Sequence, residues 1–378
     1  MRIGLVAGES SGDLLGAGLI RAIKSHVPDA TFEGVAGPAM VAAGCDPWED
    51  AETLAVFGLL EPLMHIPRLL KLRRSLVKRW RTSPPDVFVG IDAPDFNLGL
   101  EKALRKSGIR TAHYVSPTIW VWRAGRIKTI RKAADRVLCI LPFEKDIYDQ
   151  QGIDAVFVGH PKADSLPAEI DVVSKRAALG LTGGLLVAVL PGSRVSEVSR
   201  LGPEFAAAAA ILAAQRVQLR FVTPIASPKL RPIFEAQLAA AGVAERFTLI
   251  DGDSTDVMAA ADVVFLASGT AALESALLGK PTVAAYAIGK ISGMIARLIG
   301  LRNEYFTMPN LLTETPLIPE FIQQDVIPEA MAEAVAAMLD DPARRESISR
   351  RFATLRTELA LGADERAASA VIELARKT

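Results

Sequence analysis

Cysteine is almost absent: Cys45 and Cys139 are the only two in 378 residues. Both stand in apolar contexts without metal-ligand spacing, and two thiols cannot staple a chain this long. A disulfide scaffold is excluded, and a reducing cytosol is the expected compartment. Histidine is also scarce. His26, His65, His113 and His160 are scattered with no H-x-x-x-H pair, so no metal is expected, and no cofactor either. Long apolar runs are missing: nothing approaches the ~18 residues of a spanning helix, and the run in the N-terminal MRIGLVAGESSGD is too short for a signal peptide. Net charge is missing as well. Lysine plus arginine and aspartate plus glutamate each number 43, which gives no whole-molecule field to attract nucleic acid. Charge-driven binding has to be local.

What the chain does have is apolar sequence, 50% of residues against 23% charged, the balance of a packed globular enzyme. Its length predicts two domains. In the first half RIGLVA, FEGVA, DVFVGI, RTAHYV, RVLCIL and AVFVGH alternate with helical patterns. After GHPKADSLPAEID the rhythm restarts with LLVAVLPGSR, EFAAAAAILAAQ, QLRFVTPIA, FTLIDG, DVVFLASGT and KPTVAAYA. Parallel strands need crossovers, and a parallel sheet needs cover on both faces. The alternation therefore predicts an α/β protein of two Rossmann-like, doubly wound parallel-sheet domains facing across a cleft. The expected boundaries are 1–165, 175–342 and a helical tail, 343–378, that returns to the first domain or exchanges with a second copy in a homodimer.

Three loops carry candidate ligand chemistry. In VFLASGTAALES a strand ends at Ala267, and Ser268, Gly269 and Thr270 open a helix whose bare amides and positive dipole end suit a diphosphate. Glu274, one turn on, can accept both ribose hydroxyls; the plainer reading is an ordinary helix cap with a solvent glutamate. LPGSRVSEV repeats this architecture and adds Arg194, suited to a departing phosphate, unless it merely pairs with Glu197. VAGESSGDLLGAGL is glycine-rich but matches neither G-x-G-x-x-G nor a Walker loop, which counts against a dinucleotide. Glu9, at that strand's end, points into the expected cleft, whereas Asp13 caps or charges the first helical turn.

GIDAPDFNL places Asp92 and Asp95 where another strand surfaces on the same rim. One carboxylate taking a proton from an attacking hydroxyl is worth typically ~10²–10⁴-fold. Asp92, directly after the strand, is the first choice, and Asp95 shapes the turn. An Asx-type turn without chemistry is the alternative. The DGD string at 251–253 is read as a turn.

Taken together, VAGESSGDLLGAGLI, GIDAPDFNLGLE, HYVSPTIWVWR, LPFEK, LPGSR, LASGTAALE and MPNLL, with the tail ADERAASAVIEL, resemble the lipid-A-disaccharide synthases. The resemblance implies a two-domain GT-B glycosyltransferase, inverting, that joins UDP-2,3-diacylglucosamine to 2,3-diacylglucosamine 1-phosphate and releases UDP. It sets the uridine diphosphate against Ser268, Gly269, Thr270 and Glu274, with Arg194 and Asn310 nearby. Glu9 and Asp92 match acids that are candidates for catalysis, and the residues alone do not say which is the base.

An acceptor side is expected on the first domain. PRLLKLRRSLVKRW reads as a basic amphipathic helix, with Leu69, Leu70, Leu72, Leu76, Val77 and Trp80 on one arc and most of its cations on the other. Such a helix lies on anionic bilayers, or else packs its leucines on the sheet. With the apolar stretch before it (Phe57, Leu59, Leu60, Leu63, Met64) it is expected to receive the lipid, through Leu69, Leu72 and Leu76, on the cytoplasmic face of the inner membrane. Ser116, Trp120, Trp122 and Arg123 in the next motif are expected near the acceptor and its 1-phosphate. Two enzyme rivals share this loop chemistry, another UDP-N-acetylglucosamine-using GT-B transferase and a UDP-sugar epimerase.

Overall fold

The computed structural model describes residues 1–54, 62–117, 124–167, 170–181, 183–267, 269–287 and 305–377. They form two units, residues 1–165 with 358–378, and residues 166–357.

The first unit holds seven strands: β1 (Arg2–Ala7), β2 (Thr31–Ala36), β3 (Cys45–Asp50), β4 (Val87–Ile91), β5 (Thr111–Tyr114), β6 (Arg136–Cys139) and β7 (Ala155–Phe157). All pair in parallel, in the order β3-β2-β1-β4-β5-β6-β7. Crossovers are made by α1 (Ser10–His26), α2 (Pro38–Ala43), α3 (Pro62–Thr82), α4 (Pro94–Arg105), α5 (Ile127–Ala133) and α6 (Pro142–Asp149), with α7 (Pro161–Ser165) after β7. Most of these helices open on proline, whose fixed φ suits the first helical position and whose missing N–H is unpaired there in any case.

Alternation along the strands splits the core in two. Ile3, Leu5 and Ala7 of β1 and Val87, Val89 and Ile91 of β4 join α1 on one face. Val6 and Phe88 point to the other, where they meet Leu76 and Trp80 of α3 and Phe96, Leu100 and Leu104 of α4. Trp80 is wholly buried. Its indole lies so close over Gly4 that a Cβ there would stand 3.0 Å from the ring, and its Nε1 donates to Glu33 at 3.0 Å.

This packing corrects the expected lipid role of α3. Leu76 is only 3% exposed, inside the same cluster as Trp80, and Leu69 and Leu72 lean on that cluster half-buried. The leucine arc is the face that closes the sheet, because an α/β sheet left bare on one side would expose an entire apolar layer. The helix also begins at Pro62, so Pro67, expected to open it, sits inside. Residues Phe57, Leu59 and Leu60 lie outside the described residues, as do the side chains of Leu63 and Met64.

The second unit holds β8 (Leu186–Leu190), β9 (Arg220–Ile225), β10 (Phe247–Asp251), β11 (Val263–Ala267), β12 (Thr282–Tyr286) and β13 (Glu320–Ile322). They are again parallel, in the order β10-β9-β8-β11-β12-β13. Its helices are α8 (Val172–Ala178), α9 (Val195–Gln215), α10 (Arg231–Ala240), α11 (Ser254–Ala260), α12 (Thr270–Leu277), α13 (Met308–Leu311) and α14 (Pro328–Asp340). Then α15 (Pro342–Leu359) stays with this unit up to Thr357. It is tied there by Ser349 Oγ donating to Gly279 O at 2.7 Å and Arg356 donating to Leu166 O at 2.6 Å. The last helix, α16 (Ala363–Arg376), returns to the first unit, where Ala363, Ala367, Ala368 and Val371 are part of the core beside α1. Asp164 starts it by accepting from the Gly362 and Ala363 amides at 2.9 and 2.7 Å.

Replacing Leu76 by alanine should cost ~2–5 kcal/mol of unfolding free energy, the ordinary loss for a buried leucine. A urea titration checks this; a change under ~0.5 kcal/mol, typical of a surface site, would return Leu76 to the exterior.

Candidate active site

In each sheet the winding direction reverses once, between β1 and β4 and between β8 and β11. At such a point the two neighbouring loops diverge and leave a crevice at the strands' carboxyl ends.

In the second unit that crevice is a cleft of about 730 Å³, within the usual range for a small-molecule site. Gly192, Ser193 and Arg194 after β8 line it together with Gly269, Thr270 and Glu274 at the start of α12. Ser268 is outside the described residues. Among the described residues, a Cβ on Gly269 would meet nothing within 4 Å, so none of them crowds this helix start.

The loop after β8 is built differently. Glu197, in the first turn of α9, turns back so that Oε2 accepts from the Ser193 and Arg194 amides at 3.0 and 3.3 Å. These amides were expected to be bare; an internal carboxylate already satisfies them. Arg194 keeps its value as an anion partner through its guanidinium, 74% exposed and only loosely paired with Glu197 at 3.7 Å.

Other residues join the cleft that sequence reasoning did not single out. Gly252, Asp253 and Ser254 line it, so the DGD turn borders the site; Asp251 itself pairs with Arg231 at 2.8 Å. Tyr286 and Phe306 form an aromatic pair on the wall, centroids 5.6 Å apart. Burial first, then the Glu197 carboxylate, raises the Tyr286 phenol above its ordinary range, so it stays a neutral donor. Asn310 is corrected from nucleotide contact to loop support. It is 3% exposed, its amide nitrogen donates to Ile318 O and Glu320, and its oxygen accepts from Leu317 and Ile318. Its donors and acceptor are spent within the unit, where with Glu320 it holds the loop that presents Phe306.

In the first unit the same topology brings together the loops carrying Glu9 and Asp92. A Cβ on Gly8 would lie 2.5 Å from Ala93 Cβ, so only glycine permits this approach. Glu9 is exposed and Asp92 half-buried. Asp92 and Ala93 both adopt left-handed backbone, φ 50 and 41, a cost concentrated at functional turns. The buried Asn97 holds them: its amide nitrogen stands 2.9 Å from Asp92 O and 3.3 Å from both Ile91 O and Val6 O, which ties the ends of β1 and β4. One turn further, Glu101 meets His113 at 2.6 Å with both side chains fully buried; burial raises the Glu101 carboxyl and His113 opposes the shift. Asp95 is turned aside into an ion pair with Arg126. Asp13 does not cap its own helix but accepts from the amides of Gly37, Ala39 and Met40 at the start of α2.

Ser116 is buried and shares a hydrogen bond with Tyr148 Oη at 2.8 Å, so its hydroxyl is engaged inside the first unit. Trp120, Trp122 and Arg123 lie outside the described residues.

Residues 3–373 match the family model described as lipid-A-disaccharide synthetase. The chain belongs to the lipid-A-disaccharide synthase family. The lipid-A-disaccharide synthase of Alkalilimnicola ehrlichii is 47% identical over 378 residues, covering 99% of each chain. That of Serratia proteamaculans is 45% identical over 377 residues, covering 100% of this chain and 98% of the relative. Among solved structures, a putative UDP-N-acetylglucosamine 2-epimerase from Listeria monocytogenes superposes with a TM-score of 0.63 at 14% identity, covering 98% and 94% of the two chains. A UDP-GlcNAc 2-epimerase from Methanocaldococcus jannaschii, in complex with UDP-GlcNAc and UDP, gives 0.61 at 14%, covering 100% of both. At that identity the likeness is one of fold, and the fold is GT-B. As a member of that family the protein is a glycosyltransferase of lipid A assembly. No described helix is long and apolar enough to cross a membrane.

Asn97→Asp keeps the size of the clamp and removes its donor, leaving buried carbonyls facing a carboxylate. We expect a loss of at least ~1–3 kcal/mol in urea unfolding; unchanged stability would show that the clamp does not hold the Asp92 turn.

Proposed function

We propose that the second unit binds UDP-2,3-diacylglucosamine and that the first unit presents 2,3-diacylglucosamine 1-phosphate to it, with Asp92 as general base. The observation that carries this reading is the cleft at the β8/β11 reversal, which combines the helix start at Gly269–Thr270, the Arg194 guanidinium and the Glu274 carboxylate. Amides and arginine match the diphosphate, and a carboxylate matches the ribose diol. In the reaction the acceptor's 6-hydroxyl oxygen attacks the anomeric carbon while the bond from that carbon to the diphosphate oxygen breaks. Its electron pair leaves with UDP, and the hydroxyl proton passes to Asp92. Arg194 and the helix amides gain most as charge grows on the leaving oxygen, which is where preorganised donors lower a barrier. A single displacement of this kind inverts the anomeric centre and gives a β-1,6 disaccharide 1-phosphate. Glu9 supplies a second carboxylate on the same rim.

The acceptor is a lipid, so we further propose contact with the cytoplasmic face of the inner membrane through the polar side of α3. Arg73, Arg74, Lys78 and Arg81 line a groove between α3 and α4. A second groove, between α4 and α5, is lined by Lys102, Arg105, Lys106, Arg131 and Lys132. Among the described lining residues neither groove has an acid, although Arg105 pairs with Asp135 at 2.7 Å, and each cation near an anionic bilayer is worth about 1 kcal/mol. This reading moves the membrane contact from the leucines of α3 to its cations.

Incubation with both lipid substrates should give a disaccharide 1-phosphate and UDP by mass spectrometry. Asp92→Asn should lower turnover ~10²–10⁴-fold with UDP affinity retained. Full turnover in that variant would pass the base role to another group, and an epimerised monosaccharide as sole product would overturn the transferase reading. In flotation with phosphatidylglycerol vesicles, Arg74→Glu with Lys78→Glu should abolish a salt-sensitive association of the wild type; unchanged flotation would reject the cationic surface.

A further inference from the structure

Glu274 is half-buried at the cleft edge, and a second side chain holds it. The hydroxyl of Thr255, on α11, donates to Glu274 Oε1 on α12. We infer that Thr255 is a positioning residue for nucleotide recognition, fixing the Glu274 carboxylate so that it distinguishes a ribose diol from a 2′-deoxyribose. The inference rests on the nucleotide reading of this cleft.

Three features support it. The frame behind Thr255 is rigid: Val257, Met258 and Ala260 anchor α11 in the core, and the helix is entered through two left-handed residues, Gly252 at φ 74 and Asp253 at φ 54. A left-handed aspartate persists only where its surroundings over-determine it. Threonine, branched at Cβ, has few χ1 states, so a fixed helix fixes the hydroxyl's direction. Glutamate is the opposite case, since a surface glutamate loses rotamer freedom when a ligand orders it, and that loss subtracts from affinity. Thr255 has taken that ordering cost in the folded protein. Stoichiometry also fits. A carboxylate offers about four acceptor positions, so a threonine contact does not by itself exhaust it.

A mere tie between α11 and α12 would contribute to stability and leave nucleotide discrimination unchanged. The test is titration calorimetry with UDP and with 2′-deoxy-UDP on the wild type, Thr255→Val, Thr255→Ser and Glu274→Gln, together with thermal melting of each. Valine keeps the shape and removes the donor, while serine keeps the donor. The expected result is that Thr255→Val weakens UDP by about 3- to 10-fold, the cost of ordering one side chain, and narrows the preference for UDP over the deoxynucleotide. Thr255→Ser should restore both. If Glu274→Gln loses UDP affinity and Thr255→Val keeps affinity and preference, the positioning role is overturned and the nucleotide reading stands. If Thr255→Val weakens both nucleotides equally and melts lower, the contact is a structural tie and the inference is again overturned. If Glu274→Gln binds UDP as the wild type does, the nucleotide reading itself fails. Thr255→Ala answers the same question should the valine variant not fold.

Discussion

A parallel sheet that winds both ways from one strand must leave two neighbouring loops diverging, and each functional group of the cleft and the rim stands beside such a place. The order β3-β2-β1-β4 in one unit and β9-β8-β11-β12 in the other follows from strands too apolar to leave either face uncovered. The crossovers that cover the faces force the reversal, and the reversal opens the crevice. Glu9 and Asp92 flank one such point, and Arg194 and Glu274 the other. The chemistry is borne by a few side chains, while their placement is a consequence of sheet winding.

Two sets of carboxylates near these loops differ in what they face. One group holds loops in place. Asp13 takes three amides at the start of α2, Glu197 takes two before α9, and Glu320 takes two before α13. Glu144 takes two at the start of α6, where burial pushes its carboxyl up to about 8. The other group, Glu9, Asp92 and Glu274, stands at the open rims. The division explains why the two loops of the second unit are not equivalent. Where Glu197 fills the amides, the loop offers a guanidinium to the cleft; at Gly269 the cleft is lined by a helix start.

Much of this was legible in the sequence. Strands buried on both faces, such as VFVGI and LVAVL, are contiguous apolar runs, and the helix starts are marked by proline. Two of the four edge strands gave no such signal, whereas the other two, β7 and β10, are carried by AVFVGH and FTLIDG. CDPWED forms β3 and the three-residue EFI forms β13, both largely half-buried or exposed, with polar residues that a central strand would not tolerate. Helical periodicity showed that α3 has one apolar face; it could not show that the sheet, and no lipid, covers Leu76, because amphipathicity is the same for either partner. Glu197, three residues after Arg194, carries the spacing of a capping box, a sign that the first loop's amides were already taken. Asn310 and Thr255 act through partners distant in sequence, Glu320 and Glu274, and only the fold brings those together.

The central claim is that the nucleotide diphosphate is held by the second unit alone, at the β8/β11 reversal. Amide hydrogen exchange with and without saturating UDP tests it most directly. The account predicts slowed exchange in residues 251–256 and 269–274, with residues 8–13 and 91–97 of the first unit unchanged. Protection confined to the first unit, with the start of α12 exchanging as freely as before, would contradict it.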